Sequence, residues 1–167
     1  MKNSGRSLGR RLMLLGDRLS RIKHRKGHGV HSPFVYGFVR KVLMLKSLCE
    51  GSGTALYDSL VAYDVAEKRA KELHNLLVYI EGRSYSINEV EGDLSILLAD
   101  YPTEKLAEAL LVAKQERVTL AICQPYANRE RQEVVRALID EHRSTTVDNR
   151  AYVLFFNNHL PKQYYRL

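Results

Sequence analysis

The chain has 167 residues, enough for one domain of ordinary size with its own hydrophobic core. An apolar content of 45% is typical of a globular protein and excludes an intrinsically disordered one. No apolar run reaches the length of about 18 residues that a transmembrane helix needs. The first residues lack the long apolar stretch of a signal peptide, and the two cysteines match no metal or redox spacing. These features predict a cytoplasmic protein.

The net charge of +7 is concentrated at the N-terminus. Residues 1–46 carry twelve basic residues and one acidic residue, a net charge of +11, whereas residues 47–167 have a net charge of −4. This asymmetry indicates a basic arm on a mildly acidic body. We predict a basic N-terminal helical segment over residues 1–50 and an α/β domain over residues 51–167.

Residues 7–26 have the pattern of an amphipathic helix. Apolar side chains recur on one face at spacings of three and four: Leu8, Leu12, Leu15, Leu19 and Ile22. Basic side chains occupy the remaining surface: Arg10, Arg11, Arg18, Arg21 and Arg25. Three functions fit this pattern. The leucine stripe packs on the body, the arginines contact the phosphates of a nucleic acid, or the helix lies on an anionic membrane surface.

A second helix is predicted to begin at residues 32–34 and to run to about residue 45. Ser32 is placed to cap it, and Pro33 suits the first helical position. The nearby histidines, His24, His28 and His31, are candidate metal ligands. Because glycines at 27 and 29 interrupt the helix that would align them, we expect a structured turn and no metal site here.

Residues 56–80 have the spacing of one continuous helix. Its apolar stripe comprises Ala66, Ala70, Leu73, Leu77 and Ile80. Gly82 is expected to end it. The next residues are polar and ambiguous, although 85–87 could form a short strand.

From residue 93 the pattern alternates between buried strands and amphipathic helices. Strands are predicted at 94–99 and 118–123, helices at 103–116 (with Thr103 as cap) and 127–142, and a hairpin at 145–156 that turns at 148–150. Residues 164–167 could close the edge. This order predicts a parallel sheet with an antiparallel edge.

Three segments carry a resemblance to a known family. Residues 26–36 (KGHGVHSPFVY) contain the pattern HG-x-HSPF, which comprises His28, Gly29, His31, Ser32, Pro33 and Phe34. This pattern resembles the opening of a group of bacterial class I S-adenosylmethionine-dependent methyltransferases. Residues 93–100 (DLSILLAD) are similar to their fourth strand, and residues 145–167 to their closing hairpin and tail. The resemblance implies a partial Rossmann-like sheet, with parallel strands and a C-terminal antiparallel hairpin, preceded by basic helices.

The resemblance does not extend to the middle of the chain, where such an enzyme would bind its cofactor. The chemistry needs a glycine-rich turn between a strand and a helix, and an acid at the end of the next strand. The candidate turn is 50–54 (EGSGT), with Gly51 and Gly53, but a helix pattern precedes it and no second strand follows. Asp100, at the end of the fourth strand, is the remaining candidate for cofactor contact.

The strand at 118–123 is followed by Gln124, Pro125 and Tyr126, so it ends without the carboxylates that are common in the resembling enzymes. Cys123 would need an activating base to act as a nucleophile. We therefore expect no catalytic residues, no cofactor and a binding or interaction role, with possible self-association through an exposed sheet edge. The first alternative is an active enzyme that binds S-adenosylmethionine through Gly51, Gly53 and Asp100, or that is completed by a partner chain. The second is a nucleic-acid binder acting through the arginines of the arm.

Overall fold

The computed structural model describes residues 32–51 and 54–167. The helices are α1 (Pro33–Phe38, continued by a π-helical turn at Val39–Leu43), α2 (Thr54–Ala62), α3 (Glu67–Tyr79), α4 (Leu106–Gln115, preceded by a 3₁₀ turn at Thr103–Lys105) and α5 (Arg129–Glu141). The strands are β1 (Tyr85–Ile87), β2 (Leu94–Leu97), β3 (Thr119–Cys123), β4 (Thr145–Asp148), β5 (Tyr152–Phe155) and β6 (Gln163–Arg166). The predicted amphipathic helix at 7–26 lies outside the described residues.

The strands form one six-stranded sheet in the order β1-β2-β3-β5-β4-β6. β1, β2 and β3 are parallel, β5 is antiparallel to both β3 and β4, and β6 is parallel to β4. The chain therefore has a partial Rossmann-like α/β fold, as predicted. The prediction that the antiparallel strand lies at an edge of the sheet is wrong, because β5 lies between β3 and β4. The edge strands are β1 and β6.

Helices cover both faces of the sheet, and alternating strand residues divide the core between them. On one face Ile96 and Leu154 pack against α1, α2 and α3. On the other face Leu120 and Phe155 pack against α4 and α5. Because α1 and its π-helical turn bury side chains in the first cluster, the packing joins residues on both sides of the predicted division at residue 50.

The predicted continuous helix at 56–80 is wrong, since residues 63–66 separate α2 from α3. Asp64 adopts a left-handed conformation (φ 57°), and the amide of Val65 donates to the carbonyl of Leu60. This is a Schellman end, in which the left-handed residue turns the chain out of the helix. Helical spacing persists across the break because both helices bury one face on the same sheet.

Two other helix ends differ from their predictions. The left-handed residue after α3 is Glu81 (φ 57°), and Gly82 follows it, donating its amide to the carbonyl of Leu77. Thr103 is not a cap, because the 3₁₀ turn begins with it and Pro102 precedes. In both cases the predicted helix end is displaced by one residue, from Gly82 to Glu81 and from Thr103 to Pro102.

The connection between β1 and β2 is unusually short for parallel strands. Residues 88–93 return the chain across one face of β1, whereas a parallel crossover ordinarily takes a dozen or more residues. The hydroxyls of Ser86 and Ser95 are 2.9 Å apart and both contact the carbonyl of Glu91. A three-residue β1 makes the return possible, because the distance to be retraced is about 10 Å.

Candidate functional site

A cavity of about 670 Å³ opens at the carboxyl ends of β2 and β3, beside the start of β5. The α2–α3 connection and the first turn of α3 form one wall, and the β4–β5 turn forms another. The carboxyl ends of parallel strands are where open α/β sheets bind their ligands. The cavity is within the size range of small-molecule sites, so it is the candidate functional site of the described residues.

Asp100 follows β2 and lines the cavity with an exposed side chain. Its Oδ1 accepts a hydrogen bond from Asn88 Nδ2 at 3.1 Å. Asn88 is left-handed (φ 59°), and its Oδ1 accepts from the amide of Leu98 at 2.8 Å. The residue after β1 therefore holds the carboxylate at the end of β2, which presents an acceptor to a ligand.

Arg69 on α3 and Tyr152 on β5 line the cavity, and both contact the buried carboxylate of Glu72. The hydroxyl of Tyr152 donates to Glu72 Oε2 at 3.1 Å. Arg69 Nη1 lies 2.9 Å from one oxygen of the same carboxylate and 2.6 Å from the other. Since Glu72 is buried and Arg69 is beside it, the two charges compensate each other, which a buried carboxylate requires.

Three ionisable lining groups are held in their neutral forms. Burial raises the pKa of the Cys123 thiol to about 12, and nearby Arg131 offsets this only in part. Burial, followed by the adjacent Asp148 carboxylate, raises the pKa of Tyr126. Burial is also the larger cause that raises the pKa of Tyr152, and the neighbouring Glu72 carboxylate is the second cause. These shifts favour the thiol form of Cys123 and the phenol forms of the two tyrosines near neutral pH.

Three residues of the lining have positive φ without being glycine. Asp64, Gln124 and Arg150 have φ values of 57°, 46° and 71°. Such conformations are uncommon and cluster at ligand sites, where the surrounding structure over-determines them. At the β4–β5 turn, the amide of Arg150 donates to Asp148 Oδ1 at 2.8 Å, which fixes the turn and leaves the Arg150 side chain exposed at the rim.

Arg131 lies beneath the strand ends and is 1% exposed. Asn128 caps α5 by accepting from the amide of Arg131 at 2.8 Å. The guanidinium then donates to the carbonyls of Leu98 (2.9 Å), Tyr101 (2.8 Å) and Cys123 (3.3 Å). One side chain therefore joins the carboxyl ends of β2 and β3, and so fixes the spacing of two walls of the cavity.

The structure separates the two parts of the predicted cofactor site. Asp100 lines the cavity, but Gly51 does not, and a Cβ at Gly51 would lie 3.3 Å from the Val78 side chain in the last turn of α3. The cavity adjoins Ala66 at the other end of α3, about 18 Å away by the helical rise. Residues 32–50 contain no strand before Gly51, and Gly53 lies outside the described residues. The structure therefore places Gly51 outside the cavity that Asp100 lines.

The described residues of the HG-x-HSPF segment, Ser32, Pro33 and Phe34, begin α1 and pack it against the rest of the domain. Ser32 Oγ accepts from the amide of Val35 at 3.4 Å and caps α1, with Pro33 at the first position, as predicted. The Phe34 ring packs edge-on against Phe156 with centroids 4.9 Å apart. Tyr79 donates its hydroxyl to the Phe34 carbonyl at 2.6 Å. His28, Gly29 and His31 lie outside the described residues, as do the candidate contact residues Arg10, Arg11, Arg18, Arg21 and Arg25.

Sequence reasoning missed most of the polar side chains that build this site. Arg131 gave a signal, because it occupies the apolar stripe of α5 four residues before Val135 and seven before Leu138. Glu72 and Arg150 gave none, since their roles depend on contacts between distant segments. Across residues 32–51 and 54–167 there is no group of three His, Cys, Asp or Glu that could hold a metal ion. The same residues contain no helix of the length and apolarity that a membrane span requires.

Comparison of the chain with protein-family models, curated proteins and solved structures finds no match.

Proposed function

We propose that this chain is a non-catalytic small-molecule-binding protein built on a shortened methyltransferase-like sheet, and that its ligand occupies the cavity at the carboxyl ends of β2 and β3. The observation that carries the proposal is the cavity itself. It combines apolar walls from residues such as Leu98 and Ala151 with polar groups on its rim at Asp100, Gln124 and Arg150. An apolar pocket with a few fixed polar groups is the usual form of a ligand site.

The resemblance to class I methyltransferases supports the ancestry in this proposal. The parallel strands followed by an antiparallel hairpin have the order that the resemblance implies. The six residues that join β1 to β2 leave no length for a further strand carrying a ribose-binding acid. The neutral Cys123, Tyr126 and Tyr152 give the cavity no activated nucleophile, which favours binding over catalysis.

A ligand screen by thermal shift tests the proposal on the full chain. Ligands that raise the melting temperature should lose their effect in Ala127→Trp, because Ala127 is an exposed residue of the rim and an indole there would fill the opening. Ala137→Trp is the matched control, since Ala137 is exposed on α5 away from the cavity. Ligands that stabilise both variants equally would show that the cavity is not the site.

A working methyltransferase is the second candidate, favoured by the position of Asp100 in the cavity. Titration with S-adenosylmethionine by calorimetry separates the two. We expect no saturable heat, because Gly51 stands at the far end of α3 from the cavity and a loose site loses binding energy to ordering. A saturable isotherm that is abolished by Gly51→Val would overturn our proposal in favour of the enzyme.

A further inference from the structure

The strongest feature outside the cavity is a run of exposed apolar and basic side chains at the end of α1 and its π-helical turn. Met44, Leu45 and Leu48 are 42%, 37% and 36% exposed. Three cations stand among them and are also exposed: Arg40, Lys41 and Lys46. These six residues lie within nine consecutive positions, and we call them together the basic-apolar surface. Tyr36, one turn earlier on α1, is 47% exposed.

The backbone beneath the basic-apolar surface is anchored to α3. Lys71 Nζ donates to the carbonyl of Lys46 at 2.8 Å, and Asn75 Nδ2 donates to the carbonyl of Ser47 at 3.0 Å. Asn75 Oδ1 in turn accepts from the amide of Cys49 at 2.8 Å. Because these bonds fix the segment, the apolar side chains are held outward, at the cost of leaving large aliphatic groups in water.

The basic-apolar surface itself contains only basic charged residues. No acidic residue occurs between Asp17 and Glu50 in the sequence. Contact with a nucleic acid would account for the three cations through phosphate binding, but it would leave Met44, Leu45 and Leu48 without a role. An anionic bilayer accounts for both groups, since its headgroups attract cations and its acyl boundary accepts aliphatic side chains.

We propose that the basic-apolar surface docks this protein peripherally on an anionic lipid bilayer. Met44, Leu45 and Leu48 enter the boundary between headgroups and acyl chains, and Arg40, Lys41 and Lys46 contact the lipid phosphates.

Flotation of the full chain with lipid vesicles tests the charge part of the proposal. The protein should float with vesicles of phosphatidylcholine and phosphatidylglycerol, but not with phosphatidylcholine alone, and high salt should release it. Replacing Arg40, Lys41 and Lys46 by glutamine should weaken partitioning roughly fivefold per charge, about a hundredfold in all. The matched control replaces Lys105, Lys114 and Arg136, which are also exposed but lie elsewhere in the chain, and removes the same net charge.

Tryptophan fluorescence tests the apolar part, because the chain contains no tryptophan of its own. Leu45→Trp should show a blue shift on vesicles containing phosphatidylglycerol. Leu111→Trp should not, since Leu111 is 55% exposed on α4, at the opposite side of the sheet. The proposal is overturned by an absence of flotation, by equal losses in the two charge variants, or by equal shifts in the two tryptophan variants. Binding that survives the loss of all three cations but fails when arginines of residues 7–26 are replaced would also overturn it.

Discussion

Replacing Arg131 by methionine tests how the carboxyl ends of β2 and β3 are held together. Methionine retains much of the apolar stem of the arginine but has no donor. The carbonyls of Leu98, Tyr101 and Cys123 would each lose a hydrogen bond from a charged group. The Leu98 carbonyl would keep the hydrogen bond that it accepts from the amide of Tyr101 at 3.3 Å. A buried acceptor left without its partner costs about 1–3 kcal/mol, so the other two losses sum to about 2–6 kcal/mol.

Two effects reduce the expected cost of the Arg131 replacement. Leu98 and Cys123 line the cavity, so water can reach their carbonyls once the guanidinium is gone. Methionine also carries no charge, so the variant does not have to bury one in the folded state. The cost of burying the charge of Arg131 is the main cause of its lowered pKa. We therefore expect the free energy of unfolding to fall by about 2–4 kcal/mol, toward the lower end of that sum.

Urea denaturation followed by circular dichroism measures the effect of Arg131→Met. Arg136→Met is the matched control, because Arg136 is exposed on the same helix, and we expect a change within about 0.5 kcal/mol there. If Arg131→Met is as stable as Arg136→Met, the hydrogen bonds to the strand ends contribute no net stability and our account of this residue is wrong.

Four further results are expected. Ser32→Ala should lower stability by roughly 0.5–2 kcal/mol in thermal unfolding, because it removes the cap of α1, and an unchanged melting temperature would contradict that role. Leu98→Ala should cost on the order of 2–5 kcal/mol in the same assay, since Leu98 is 6% exposed in the core, and a parent-like melt would contradict its burial. Burial lowers the pKa of His142 below its usual 6.5, so His142 takes up its proton at a higher pH in the unfolded chain than in the folded one. The free energy of unfolding should therefore fall as the pH drops below about 6.5, and His142→Gln should make that fall with pH less steep. Because burial raises the pKa of Cys123 to about 12, a thiol reagent at mildly alkaline pH should modify half-buried Cys49 but spare Cys123 until the protein unfolds; equal reaction of both thiols would contradict this.

The sequence by itself determined the fold class and most of the elements. Short apolar runs predicted β2 and β3, and the turn-forming residues 148–150 predicted the hairpin. Both predictions depend only on residues that are close in sequence. The cap at Ser32 was also predictable, since a hydroxyl before Pro33 acts within three residues. Asp100 was singled out correctly as a residue at a strand end, and it lines the cavity.

Only the tertiary structure decided what surrounds Asp100. The break between α2 and α3 escaped prediction because both helices bury one face on the same sheet, so helical spacing continues across the left-handed turn at Asp64. The pairing of Glu72 with Tyr152 joins residues 80 positions apart, and Arg131 contacts Tyr101 and Leu98 across 30 and 33 positions. Such contacts depend on which strands become neighbours, and the insertion of β5 between β3 and β4 is a property of the whole sheet. Local pattern therefore specifies the elements, whereas the cavity is specified by how they assemble.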